Sequence, residues 1–157
     1  MIKLVLCALG LTAITVIIHG VGALAAGRRV VGLWAGRKDP PGWLGAELLM
    51  AQLVGALLLL HLAEAIVWAV FYVLIDALPD LETAAYFSLT SYTTVGYGDL
   101  VLPEAWRLLG PIEAAVGVLM LGWSTGILVV AIGVIYKRFS PFLNASEGSG
   151  PAARPPG

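Results

Sequence analysis

Residues 2–26, 48–75 and 108–136 form three apolar runs, each long enough to cross a lipid bilayer, and a 157-residue chain with three such runs has little left to build a soluble core. At about 1.5 Å of rise per residue, each run as a helix exceeds the ~30 Å hydrocarbon layer, so tilt or protrusion beyond the lipid is expected. Composition agrees: 59% of residues are hydrophobic and 12% charged, with a mean hydropathy of +0.92. Nine basic residues stand against ten acidic ones, so no charge excess points to nucleic acid. The one cysteine, Cys7, lies inside the first run and reads as a small buried hydrophobe.

Between the second and third runs, residues 81–93 make a shorter and only moderately apolar stretch, too short to cross, followed by glycines; it reads as re-entrant. Pro79, Asp80 and Glu82 mark its start, with Asp80 as N-cap and Glu82 in the first turn at the positive end of the helix dipole. Gly27, Pro40 and Pro41 break the chain between the first and second runs, where Trp34 and Trp43 suit the headgroup zone. After Arg138 the chain is rich in serine, glycine and proline and lacks apolar periodicity, so a disordered tail is expected. The expected organisation is an N-terminal transmembrane helix (1–27), a basic connector (28–47), a unit of the second and third runs with the re-entrant stretch between them (48–138) and a tail (139–157).

Charge placement orients the chain. Arg28, Arg29, Arg37 and Lys38 fall in the connector and Lys137 and Arg138 follow the third run, so the positive-inside rule puts both in the cytoplasm and the N-terminus outside. Asp76, Asp80, Glu82, Asp99 and Glu104 then gather on the outer side, with Arg107 as the nearby base. The expected location is the plasma membrane, or the inner membrane in a bacterium. A signal peptide over residues 1–25, with Lys3 as its basic start and Ala23-Leu24-Ala25 as its cleavage site, is the competing reading; it would leave the connector's bases outside, which the charge pattern opposes.

The loop itself reads Thr93-Thr94-Val95-Gly96-Tyr97-Gly98-Asp99, preceded by Ala85-Tyr86-Phe87-Ser88. An ion leaving water needs several oxygens in turn, and a strand offers one carbonyl per residue only when successive carbonyls point the same way. Gly96 and Gly98 can take positive φ at no Cβ penalty, which permits that alignment. This run resembles the signature of the potassium-channel pore family. The resemblance covers about residues 48–136 and implies an all-α membrane protein of tetrameric potassium-channel architecture: outer helix, re-entrant pore helix with selectivity filter and inner helix. It implies further that Thr94, Val95, Gly96 and Tyr97 supply the oxygens that hold K+, the transported ion. Gly98 and Asp99 would support the filter, and Tyr97 would pack against an aromatic cuff containing Tyr86 and Phe87. With one filter copy per chain, closure about an axis requires a homotetramer. The pore helix would aim its negative end at the cavity. Thr90 stands where some relatives carry a carboxylate that pairs with the signature aspartate, so Asp99 needs another partner, and Val101-Leu102-Pro103 holds one residue more than the commonest spacing.

Three ionisable residues sit in apolar runs. His61 and Glu64, three apart on one helical face, and Glu113 are candidate intramembrane polar contacts, read either as a pH-sensitive contact or as helix glue, with His61 reaching Glu64, His19 or Thr15. Gly117 falls where the family often places a hinge, with packing as the other role; Gly122 and Gly126 suit close packing, and Ser124 and Thr125 are candidates to face the cavity. No run carries a base at every third position, so an arginine-repeat voltage sensor is excluded. Clustered His/Cys metal spacing, a nucleophile elbow and a phosphate-binding glycine loop are all absent from the sequence, so no catalytic residue and no cofactor are expected and an enzyme is not. The expected function is passive K+ conduction by a homotetramer in a lipid bilayer. The alternative is a nonconducting scaffold or regulatory subunit of the same fold.

Overall fold

The computed structural model describes residues 1–35 and 42–139. Arg37, Lys38, Pro40, Pro41 and all of the tail expected after Arg138 except Phe139 lie outside the described residues. Four helices follow in chain order: α1 (Ile2–Ala35), α2 (Trp43–Leu74), α3 (Leu81–Tyr92) and α4 (Leu109–Phe139), and no strand occurs among the described residues. Segments Ile2–Arg29, Trp43–Leu74 and Leu109–Ile135 are long and apolar enough to span a membrane. The chain is an all-α membrane protein.

The helix boundaries follow from local chemistry. α2 stops at a Schellman turn: Asp76, at φ 54°, takes the left-handed position, its N–H bonds Val73 O at 3.0 Å, and Ala77 N–H bonds Tyr72 O at 2.9 Å. Aspartate tolerates that conformation better than most side chains, and Pro79 then prevents any resumption. α3 opens as expected, with extended Asp80 accepting from Thr83 N at 2.8 Å and Thr83 Oγ1 at 2.9 Å. α1 differs from expectation by running on to Ala35, through Gly27, Arg28 and Arg29. One interior glycine costs only about 1 kcal/mol, which the neighbouring turns absorb.

α2 is the post on which the others lean. Trp68 and Tyr72, both fully buried, form its inner face. Tyr72 meets Phe87 of α3 edge-on at 5.4 Å, and Phe71 meets Trp106 perpendicular at 6.4 Å, contacts each worth about 0.5–1.5 kcal/mol beyond burial. Against α2, α1 docks by backbone approach: a Cβ on Gly22 would stand 2.5 Å from Leu60 Cδ1, so glycine makes room for leucine. Thr15 accepts the Trp68 indole N–H at 3.1 Å across the same interface. The end of α3 rests on α4 at Gly117, where a Cβ would come 2.0 Å from the Tyr92 carbonyl oxygen.

Candidate functional site

The loop after α3 starts pinned to its helix. Thr93 N–H and Oγ1 both reach Leu89 O, at 3.1 and 2.6 Å; Thr94 N–H bonds Ser91 O at 2.9 Å and Gly96 N–H bonds Thr90 O at 3.0 Å. Beyond that point φ turns positive at every second residue: +62° at Thr94, +51° at Gly96 and +76° at Gly98. Alternation of left- and right-handed residues turns successive carbonyls toward one side of a strand. For the glycines this costs little, whereas for Thr94, a β-branched residue, the left-handed conformation costs about 1–3 kcal/mol. Val95 and Tyr97 are 53% and 71% exposed, so this chain alone leaves the loop uncovered.

Asp99 finds its partner in Tyr86, whose hydroxyl donates to Oδ2 at 2.7 Å, while Oδ1 accepts from Leu100 N–H at 3.1 Å. That bond, followed by desolvation and by the charge of the carboxylate, holds the Tyr86 phenol above its ordinary pKa. Thr90 turns away, its hydroxyl bonding Phe87 O at 2.9 Å. The expected cuff thus divides: Tyr86 serves Asp99 at the surface, while Phe87 is buried between Tyr72 and Gly110, where its Cζ would lie 3.2 Å from an added Cβ. The one-residue step from Tyr86, about 100° of helix turn, places Phe87 on the inward face of α3, toward α2 and α4.

Behind the loop lies a polar cluster that sequence reasoning saw only in pieces. His61 and Glu64 are 3.6 Å apart, yet the closer partners of Glu64 are His19 of α1, whose Nδ1 is 2.9 Å from Oε1, and Tyr92 of α3, which donates to Oε2. Nδ1 of His61 lies 3.1 Å from the Tyr92 hydroxyl and its Nε2 3.0 Å from Ser124 Oγ. Ser124 Oγ stands 3.5 Å from Nε2 of His19, which closes a ring of five hydrogen bonds through Glu64, His19, Ser124, His61 and Tyr92. The ring spans all four helices. α1 is therefore held to the pore unit by His19 rather than by His61, because His19 is the ring member that α1 projects. Ser124 faces this ring instead of a cavity, and exposed Thr125 bonds Leu121 O of its own helix at 2.9 Å.

A second fully buried carboxylate, Glu113 of α4, accepts from the Tyr72 hydroxyl at 2.7 Å and from Ser88. Ser88 and Tyr92 are four apart, so one face of α3 presents a hydroxyl to each buried acid. That polar spacing was the available signal for Ser88 and Tyr92. No spacing announces Ser124 or the approach of His19, because they come from different helices. Gly117 has the contact that the packing role requires; Gly122 and Gly126 have nothing within 4 Å of an added Cβ. At the loop's outer side, Arg107 lies 4.0 Å from Glu104, both largely exposed, a pairing of little energetic weight.

No curated protein and no solved structure matches the chain. A family model described as "Ion channel" matches residues 57–133, from within α2, through α3 and the loop, into α4. With three helices able to span a membrane and a shorter helix between the last two, the chain carries over residues 57–133 a segment similar to this ion-channel family.

Proposed function

We propose that the chain is one subunit of a homotetrameric, potassium-selective channel that conducts K+ passively through a filter made of Thr94, Val95, Gly96 and Tyr97. The observation that carries the reading is the alternation of positive φ at Thr94, Gly96 and Gly98, the backbone pattern that can offer a row of carbonyl oxygens to a dehydrating ion. Exposure of Val95 and Tyr97 in the single chain supports assembly, since four loops around an axis would cover what one leaves open. α3 ends at this loop, so its partially negative terminus favours a cation there.

The positive-inside rule sets the N-terminus outside and the C-terminus in the cytoplasm. Asp76, Asp80, Glu82, Asp99 and Glu104 of each subunit then surround the outer mouth and raise the local cation concentration over the ~8 Å that salt allows. Flux from liposomes holding the purified chain is the test. Potassium efflux far exceeding sodium efflux, and abolished in Gly96→Ala, is the expected result; equal rates for the two ions, or silence under every gradient and pH, would overturn it.

A further inference from the structure

The ring behind the loop contains the makings of a metal site. One ring nitrogen each of His19 and His61 and a carboxylate oxygen of Glu64 all lie within 4.8 Å of one another. Tetrahedral zinc with bonds of 2.0–2.1 Å keeps its ligand atoms about 3.3 Å apart. Two distances lie on either side of that value, one to each carboxylate oxygen: 2.9 Å from Nδ1 of His19 to Glu64 Oε1, and 3.6 Å from Nδ1 of His61 to Glu64 Oε2. The outer nitrogens matter as much. Histidines that bind a metal through one nitrogen donate the other N–H to an oxygen that fixes the ring, and here both Nε2 atoms converge on a single hydroxyl, Ser124 Oγ, at 3.0 and 3.5 Å. A hydroxyl oxygen has two lone pairs and can accept both.

We propose that His19, His61 and Glu64 form a binding site for a divalent transition-metal ion, with zinc as its reference ion. Two imidazoles and one carboxylate suit zinc or its neighbours; the all-oxygen shells of magnesium and calcium find no match. The Tyr92 hydroxyl, 3.1 Å from Nδ1 of His61 and donating to Glu64 Oε2, adjoins these three residues. One feature of the surroundings favours a cation: the negative end of the α3 dipole terminates at Tyr92. His61, 11% exposed against 0% for the other two ligands, is the side from which an ion would reach the site.

Proton counting gives the exchange its balance. The closed, neutral ring places five protons on five hydrogen bonds. With zinc on both Nδ1 atoms and the carboxylate ionised, protons remain on the two Nε2 atoms, Ser124 and Tyr92, four in all. Each zinc bound therefore releases one proton to the buffer and leaves one added positive charge in the site. The bond from Nδ1 of His61 to Tyr92 is surrendered as well.

This site is separate from the loop carbonyls, and its test needs no conduction. The full chain in detergent is titrated with zinc chloride against a chromophoric chelator, calorimetry in two buffers of different ionisation enthalpy counts protons, and cobalt(II) reports geometry by its visible spectrum. Expected are one saturable site per chain, one proton released, a tetrahedral cobalt spectrum, and affinity lowered at least tenfold in His61→Gln. Ser124→Ala, which keeps every ligand, should lose 10–100-fold. His19→Gln and Glu64→Gln test the remaining ligands where they fold. No saturable binding, or binding equally tight in His61→Gln and Ser124→Ala, would overturn the site and leave the ring as a purely hydrogen-bonded clasp.

Discussion

Gly117 and Tyr86 show two different kinds of constraint on single positions. At Gly117 the limit is space: the atom facing an added methyl is a backbone oxygen, which cannot swing aside as a side chain would. Gly117→Ala should destabilise the protein by about 1–3 kcal/mol or more, seen as a lower thermal midpoint in detergent, with alanine at open Gly122 as the control that changes little. At Tyr86 the constraint is a bond. Since the folded phenol is held above its ordinary value of about 10, the stability from the Tyr86–Asp99 link is complete below that pH and is lost as pH rises through the folded value. Fluorescence-monitored stability should fall in that alkaline window for the wild type and stay flat in Tyr86→Phe. The roles open to Gly96 and Gly98 were legible in the sequence because the motif is local. The need for glycine at 117 was not, because it depends on where the end of α3 lands on another helix.

Among the elements, α3 and α1 depend on polar contacts at opposite extremes of exposure. Asp80 caps α3 in full contact with solvent, and the Thr83 backbone N–H, followed by its hydroxyl, holds the carboxyl below its ordinary pKa. The cap's contribution is therefore present above the unfolded pKa of about 4 and disappears as pH falls through the lower folded value. Asp80→Asn should abolish that acid-side loss in a pH titration of amide protection over the first turn of α3. α1 is fastened by His19 to a fully buried carboxylate, and leaving a buried acceptor without its partner costs about 1–3 kcal/mol, more for a charged group. His19→Leu should thus raise proteolysis of α1 and its hydrogen exchange far more than His61→Leu, in which Glu64 keeps two partners. Apolar runs and the Pro79–Glu82 start signal made all four helices readable from the sequence. The true end of α1 was not, since a glycine and two arginines look like a stop yet fit a helix that passes into the headgroup zone, where long basic side chains reach water.

For the molecule as a whole, the uncovered loop and the apolar surfaces bear on the proposed assembly of four copies. Val118, Leu119, Val129, Val130, Ile132 and Val134 of α4 are each more than half exposed, which lipid or neighbouring subunits would cover. Native mass spectrometry should find four times the 16.4 kDa chain mass, and a dimer or trimer as the sole species would refute fourfold closure. Thr94 carries a last implication. Its left-handed backbone is unfavourable for a branched side chain and is held from both sides: its own N–H bonds Ser91 O, Gly96 N–H bonds Thr90 O, and the end of α3 that supplies both carbonyls rests on Gly117. The pentapeptide accordingly has no shape to take along: grafted alone onto a foreign scaffold it would relax, and a transplant that keeps its geometry has to carry α3 and the facing turn of α4 with it.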